Sequence, residues 1–247
     1  MAEIVIGDKA KSILSSFSSI SPTLRVREDY IYAKSESISG IYTLPAGEIK
    51  VDNPFVLFDA DDFLGVLGMF NDPKLDKEGM LLTIKDSTKK AKYLASEDSM
   101  APVRNMTGEE LFAASQDIAF TCILNEQNLK EIESAVKVIH ADEMTIVCKD
   151  GGVMASVRCQ ATENSIEIAL DGTSTADMEI SLSNKSAKAT SILGSLFTGI
   201  YGLQCRKALI KGPGGDSTNM QEIWLAKFIN QSVTDSQLYY FASVAKL

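Results

Sequence analysis

A chain of 247 residues is long enough for one large domain or for two of ordinary size. Its 45% hydrophobic and 23% charged residues exclude a disordered protein, and no stretch approaches the roughly 18 consecutive apolar residues that span a bilayer. The first residues also lack the apolar run of a signal peptide, so we expect a cytoplasmic protein without a membrane partner. The net charge of −9 argues against nucleic-acid binding unless the basic residues are concentrated on one surface.

The first half of the chain alternates short helices with strands. Apolar residues recur with helical spacing over 8–20, where Asp8 is the expected N-cap. A second short helix follows Asp59, its expected N-cap, and carries Phe63 and Leu67 on its apolar side. Aromatic and β-branched residues between turn signals predict strands at 24–33, 41–44, 55–58, 79–85 and 89–95.

The order of elements repeats after a polar segment. Residues 96–117 show no sustained period and suit an interdomain connector between domains at 1–95 and 118–247. In the second domain, helices are predicted at 125–139 and 185–197. Strands are predicted at 118–124, 144–149, 153–160, 165–170, 178–182, 202–210, 222–229 and 237–244. Four copies of a strand, a helix and antiparallel strands indicate an α+β fold with an internal repeat.

Four segments carry a further signal: FDADDFLGVL at 58–67, KSILSSFSSI at 11–20, ILNEQNLKEI at 123–132 and GIYGL at 199–203. They resemble segments of the sliding clamps of tailed bacteriophages, a family of DNA polymerase processivity factors. The resemblance implies two similar clamp domains, each of two strand–helix–antiparallel-strand repeats, in a ring-forming subunit. The chain ending, SQLYYFASVAKL, is instead similar to the terminal strand of cellular trimeric clamps.

The resemblance also implies a function. Three identical subunits would close a ring around duplex DNA, with short helices lining the bore and sheets forming the rim. An ATP-dependent clamp loader would open the ring, and a replicative DNA polymerase would be tethered to it. Neither an enzymatic activity nor a cofactor is implied.

A ring that slides needs few and weak phosphate contacts, because each neutralised phosphate adds salt-dependent affinity. In the helix at 125–139, Lys130 and Lys137 lie opposite the apolar stripe that includes Ile132. Lys11 lies on the polar side of the first helix, and Lys185 and Lys188 belong to the helix at 185–197. We expect these five lysines to face the bore, although a solvated helix face would show the same pattern.

Two surfaces for protein partners are also expected. Tyr240, Phe241 and Ala242 match the strand that lines the peptide pocket of cellular clamps, although a core strand would show the same alternation. A strand near 89–95 of one subunit is expected to pair with one near 165–170 of the next, because a ring removes unpaired strand edges.

Other functions stay open. Asp59, Asp61 and Asp62 could bind Mg²⁺ in a phosphoryl-transfer enzyme, but an N-cap and an acidic first helical turn explain the same residues. The acidic charge also fits an oligomeric scaffold that never contacts DNA. No metal site is expected from the single histidine and four cysteines without a CxxC pair, which predict free, mostly buried thiols.

Overall fold

The computed structural model describes residues 3–4, 6–27, 29–35, 38–44, 54–100, 118–182, 192–211 and 220–246. Short helices and antiparallel strands make up these segments, which confirms the predicted α+β class. The chain divides into two compact units, Met1–Arg104 with Val233–Leu238, and Asn105–Ser232 with Tyr239–Leu247. None of the helices in the described segments is both long and apolar enough to cross a membrane.

The first unit contains two antiparallel arrays of strands and two helices. Its helices are α1 (Asp8–Ser18) and α2 (Ala60–Leu67). One array has the order β1–β6–β7–β8, formed by Glu3–Ile4, Lys74–Glu78, Leu81–Lys85 and Lys90–Leu94. The other has the order β4–β3–β2–β5–β9, formed by Ile38–Thr43, Tyr30–Lys34, Leu24–Val26, Phe55–Leu57 and Ser96–Glu97.

The two helices of this unit pack against each other and begin differently. Asp59 caps α2 as predicted, because its Oδ1 accepts the Asp62 amide at 3.0 Å. The N-cap of α1 is Gly7 and makes no side-chain hydrogen bond, so the prediction that Asp8 is the cap is wrong. Asp8 is the first helical residue, and its carboxylate accepts a hydrogen bond from Lys11 at 3.2 Å.

The described residues of the second unit form eight antiparallel strands, whose order closes on itself, and one α-helix. The strands are β10 (Ile118–Leu124), β11 (Glu143–Lys149), β12 (Gly152–Arg158), β13 (Ser165–Ser174), β14 (Met178–Ser181), β15 (Tyr201–Lys211), β16 (Met220–Asn230) and β17 (Gln237–Lys246). They follow the order β14–β11–β12–β13–β10–β15–β16–β17, and β17 also pairs with β14. Helix α3 (Glu126–Ile139) packs against β10, β12 and β13.

Other predicted elements differ from the structure. The strand predicted at 24–33 is two strands, because the chain reverses where the Arg27 amide donates to the Tyr30 carbonyl at 2.9 Å. The short strands β1, β6 and β9 were not predicted. Of the helix predicted at 185–197, residues 185–191 lie outside the described residues; the described part is a 3₁₀ turn at Leu193–Ser195, after which Leu196 is extended.

A carboxylate held by two arginines connects β2 to the turn that follows β9. Arg25 Nε donates to Asp98 Oδ1 at 2.6 Å, and the Arg27 guanidinium donates to Oδ2 at 2.7 Å. Burial by itself raises the pKa of Asp98, but the hydrogen bonds from Arg27 and Arg25 outweigh it and hold that pKa below its usual value. The ionised carboxylate therefore stabilises the fold.

We predict that Asp98→Asn lowers the free energy of unfolding at pH 7 by about 2 kcal/mol, because two charge-assisted hydrogen bonds weaken. Because the pKa of Asp98 is lowered in the folded protein, its ionised carboxylate stabilises the fold at pH values above the unfolded pKa of about 3.9. This stabilisation disappears as the pH falls through the folded pKa. The difference from the wild type should therefore shrink in acid. Urea unfolding across this range measures it, with Asp61→Asn on the exposed face of α2 as control. A loss that does not depend on pH would contradict this role.

Candidate nucleic-acid interface and partner strand

The ends of α3 are defined by local hydrogen bonds and a turn. Asn125 Oδ1 accepts the Asn128 amide at 2.8 Å, and Asn128 Oδ1 accepts the Asn125 amide at 3.2 Å. This reciprocal capping box satisfies amides that would otherwise lack intrahelical partners. At the other end His140 adopts a left-handed conformation, with φ 51° and ψ 46°, and stops the helix.

One face of α3 is buried, and its exposed residues include the predicted lysines together with Glu126, Glu131 and Glu133. Ile132 and Ala135 are buried against the sheet, whereas Lys130, Ser134 and Lys137 are exposed. Within the described part of the chain, neither lysine has a carboxylate within ion-pair distance. Lys130 and Lys137 lie seven residues apart, which is about 10 Å along the helix axis. We call these two lysines with Ser134 the α3 crest.

The lysines of α1 are engaged by carboxylates. Lys11 is half-buried and donates to Asp8, whose side chain is fully open to solvent. Lys9 forms an ion pair with Asp235, and its Nζ lies 5.8 Å from the centre of the Tyr42 ring. Both are therefore less available to an external anion than the crest lysines. Lys185 and Lys188 lie outside the described residues.

Helix α2 carries no lysine and has an acidic first turn. Asp61 and Asp62 are exposed, and Asp59 accepts the helix amide as described above. No group of three or more His, Cys, Asp and Glu side chains that could hold a metal ion occurs among the residues that the structure describes.

The four cysteines are free and buried, as predicted. They are Cys122, Cys148, Cys159 and Cys205. Burial raises the pKa of both Cys122 and Cys205 to about 12, so these thiols stay protonated at neutral pH. A protonated, buried thiol is a poor nucleophile, and these two cysteines act as apolar core residues.

The three residues predicted for the partner pocket lie on different faces of β17. Tyr240 and Ala242 are buried beside their cross-strand partners Phe228 and Ala226, which are buried as well. Phe241 points to the opposite face of the sheet because successive side chains of a strand alternate. All three are buried in this chain, so their role in docking stays a prediction.

Tyr240 has a clear structural role. Its hydroxyl oxygen accepts the Phe197 amide at 2.9 Å, and its ring packs edge-on against Tyr201 with centroids 6.1 Å apart. The hydroxyl of Tyr201 donates to the Phe197 carbonyl at 2.5 Å. The two tyrosines thus satisfy both backbone groups of one loop residue, a network that the sequence analysis did not identify.

On the other face, Phe241 belongs to a small aromatic and cationic group. Lys227 Nζ lies 4.2 Å from the Tyr239 ring centre and 5.5 Å from that of Phe241. Tyr239 is half-buried, so it is the more accessible of the two rings. Cation–π contacts of this kind hold the lysine stem over the sheet. Tyr239 was part of the quoted segment but not one of the predicted pocket residues.

No protein-family model and no curated protein matches this chain. Among solved structures, PCNA from Thermococcus kodakaraensis superposes with a TM-score of 0.64 at 14% identity, covering 98% of this chain and 99% of that one. The chain has the DNA clamp fold. A chain of the PCNA2–PCNA3 complex from Sulfolobus tokodaii gives a TM-score of 0.65 at 12% identity, with 98% of each chain covered.

A bacterial clamp is similar over part of its length. The Helicobacter pylori beta clamp bound to a DNA ligase peptide gives a TM-score of 0.60 at 12% identity, covering 98% of this chain and 65% of that one. At such identities the likeness is one of fold. It confirms the predicted clamp architecture and leaves the expected bacteriophage origin as a prediction.

Proposed function

We propose that this chain is the subunit of a sliding clamp of the bacteriophage type, a DNA polymerase processivity factor and not an enzyme. The observation that carries the proposal is the DNA clamp fold over 98% of the chain. In the proposed assembly three copies form a closed ring around duplex DNA, an ATP-dependent loader opens it, and the replicative polymerase is tethered to it. We retain domains at 1–95 and 118–247 with a connector at 96–117.

The α3 crest suits the contact that a sliding ring needs. Two lysines without carboxylate partners among the described residues can attract phosphates, and their flexible side chains read no sequence. The net charge of −9 per chain does not by itself oppose this, because local potential and net charge are separate quantities. The exposed Glu126, Glu131 and Glu133 of the same helix keep the attraction weak. Lys11, Lys185 and Lys188 remain further candidates for the bore.

Free strand edges support ring formation. Among the strands that the structure describes, β8 pairs only with β7, and the first six residues of β13 pair only with β12. Pairing β8 of one subunit with β13 of the next would satisfy both edges, and head-to-tail contacts of this kind close into rings.

We predict that the purified chain has a mass of about 80 kDa by light scattering, three times the 26.8 kDa of one copy, and forms closed rings in negative-stain images. A nicked circular plasmid then tests encirclement. Bound protein should survive a high-salt wash on the circle, where electrostatic contacts are lost, and should leave when the plasmid is linearised. A monomeric mass at high micromolar concentration would contradict the ring, and rings that never retain DNA would favour the acidic scaffold.

We predict that Lys130→Ala with Lys137→Ala weakens binding to linear duplex DNA and lowers the slope of log affinity against log salt by about 2, one for each lost phosphate contact. Fluorescence anisotropy across a salt series measures this slope. The matched control, Lys149→Ala with Lys207→Ala, removes two exposed lysines of the same unit outside α3. Both variants should keep the wild-type mass, and equal slopes in the two would count against the crest.

Polymerase docking is proposed for the face of β17 that carries Phe241. The Helicobacter pylori beta clamp, which shares this fold, binds a DNA ligase peptide. Aromatic side chains are frequent anchors for such peptides, and Tyr239 is half-buried beside Phe241. Tyr240 and Ala242 would then support the strand from its core side.

We predict that Tyr239→Ala and Phe241→Leu each weaken binding of the C-terminal peptide of the cognate polymerase, while Tyr240→Phe leaves it unchanged. Tyr240→Phe should instead lower the free energy of unfolding by about 1 kcal/mol, because the Phe197 amide loses its acceptor. Calorimetric titration and urea unfolding separate the two effects. If Tyr240→Phe weakens the peptide as much as the other two variants, docking does not use the Phe241 face.

A further inference from the structure

The β7–β8 hairpin determines which residues of β8 offer backbone groups to a partner. A backbone hydrogen bond lies at each end of this hairpin. The Asp86 amide donates to the Lys89 carbonyl at 3.0 Å, and the Ala95 amide donates to the Met80 carbonyl at 2.8 Å. Hydrogen-bonded pairs alternate along an antiparallel ladder, so every second residue between these bonds faces β7. The residues that point their backbone groups to the free edge are Lys90, Lys92 and Leu94.

The same reasoning applies to β13. The Cys159 amide donates to the Asn164 carbonyl at 2.9 Å and closes the β12–β13 hairpin. The residues of β13 that point away from β12 are then Ser165, Glu167 and Ala169. The next residue with this orientation is Asp171, which already pairs with Ile123 of β10. The free edge of β13 therefore has three residues whose backbone groups are open to a partner strand, and it ends before Asp171.

The side chains on these edges have matching orientations. All six outward-pointing residues are exposed. The intervening residues face the helices: Tyr93 packs edge-on against Phe63 of α2 with ring centres 5.2 Å apart, and Ile166 lies opposite the buried Val157. For L-residues, backbone direction and side-chain face are coupled, so an antiparallel joint between these two edges carries α2 and α3 on the same side of the joined sheet, whereas a parallel joint would put them on opposite sides. A bore lined by helices, as in the proposed ring, therefore requires the antiparallel joint.

One register uses all the free backbone groups. It places Lys90 opposite Ala169, Lys92 opposite Glu167 and Leu94 opposite Ser165, which gives about six hydrogen bonds because each such pair exchanges two. A shift of two residues in one direction loses a pair. A shift in the other direction brings Lys90 against Asp171, whose backbone bonds to β10.

We infer that β8 of one subunit pairs with β13 of the next copy in this register, and that the Lys92–Glu167 pair selects this joint over others. The inference rests on the ring proposed above. Two β8 edges joined to each other would place Lys92 opposite Lys92, and two β13 edges would oppose Glu167 to Glu167. Opposite charges stabilise a cross-strand pair and like charges destabilise it. The charges thus favour the head-to-tail joint, which closes a ring, over the symmetric joints, which end as dimers.

Charge reversal tests the selection. Lys92→Glu and Glu167→Lys should each weaken assembly by about tenfold per joint, and the double variant should restore it. Dilution series by light scattering measure the midpoint of dissociation. Lys90→Glu, the same change on the same strand opposite an alanine, is the matched control and should have a smaller effect. Both exchanged side chains are exposed, so the subunit fold is preserved.

Disulfide trapping tests the register. Lys92→Cys with Glu167→Cys should give covalent trimers under mild oxidation, because a hydrogen-bonded cross-strand pair has a Cα separation of about 5.5 Å, within disulfide range. The shifted pair, Lys90→Cys with Glu167→Cys, should not. A monomeric wild type would overturn the ring and the proposed function with it. A trimeric wild type whose shifted pair is trapped equally well, or whose charge reversal is not rescued, would overturn this register and leave the ring standing.

Discussion

The backbone groups along the edge of a strand need hydrogen-bond partners, and the arrangement of strands in this molecule depends on how that need is met. In the second unit β17 pairs with both β16 and β14, so the strand order returns to its start. The first unit has no such return among its described strands, and β8 ends its array. An unpaired edge is a template for another chain, and proteins usually cover it or charge it. Here Lys90 and Lys92 place positive charges on the β8 edge. They disfavour pairing with another basic strand but leave the edge open to an acidic one.

The sheets in turn position the helices. Helix α3 is held by its apolar face on β10, β12 and β13 and by the Asn125 capping box at its start. The polar crest follows from this attachment, because a helix that buries one face presents the other to solvent. Helix α2 is placed in the same way but exposes Asp61 and Asp62 and carries no lysine, whereas α3 exposes Lys130 and Lys137 together with three glutamates.

Local signals in the sequence were sufficient for most elements. Asp59 and Asn125 are strong N-caps that precede clear apolar periods, and both helices begin where predicted. Strand β6 was missed because Lys74–Glu78 has one apolar residue, Leu75, and its burial depends on a sheet that local pattern does not reveal. The contact of Arg25 with Asp98 joins residues 73 apart and could not be predicted from spacing. By contrast, the separation of Tyr240 and Phe241 onto two faces follows from strand alternation alone.

The position of the α3 crest would affect how easily the proposed ring moves along duplex DNA. In the proposed threefold ring the three α3 crests would stand a third of a turn apart around the duplex. The potential of helical DNA repeats once per turn, about 34 Å along its axis. Each crest would then sample the same periodic potential at a phase shifted by a third of the period, and three such contributions would add to a nearly constant sum. Each phosphate contact would attract the DNA, yet the total energy would change little as the duplex advances, so the proposed ring would hold the DNA centred without favouring particular positions along it.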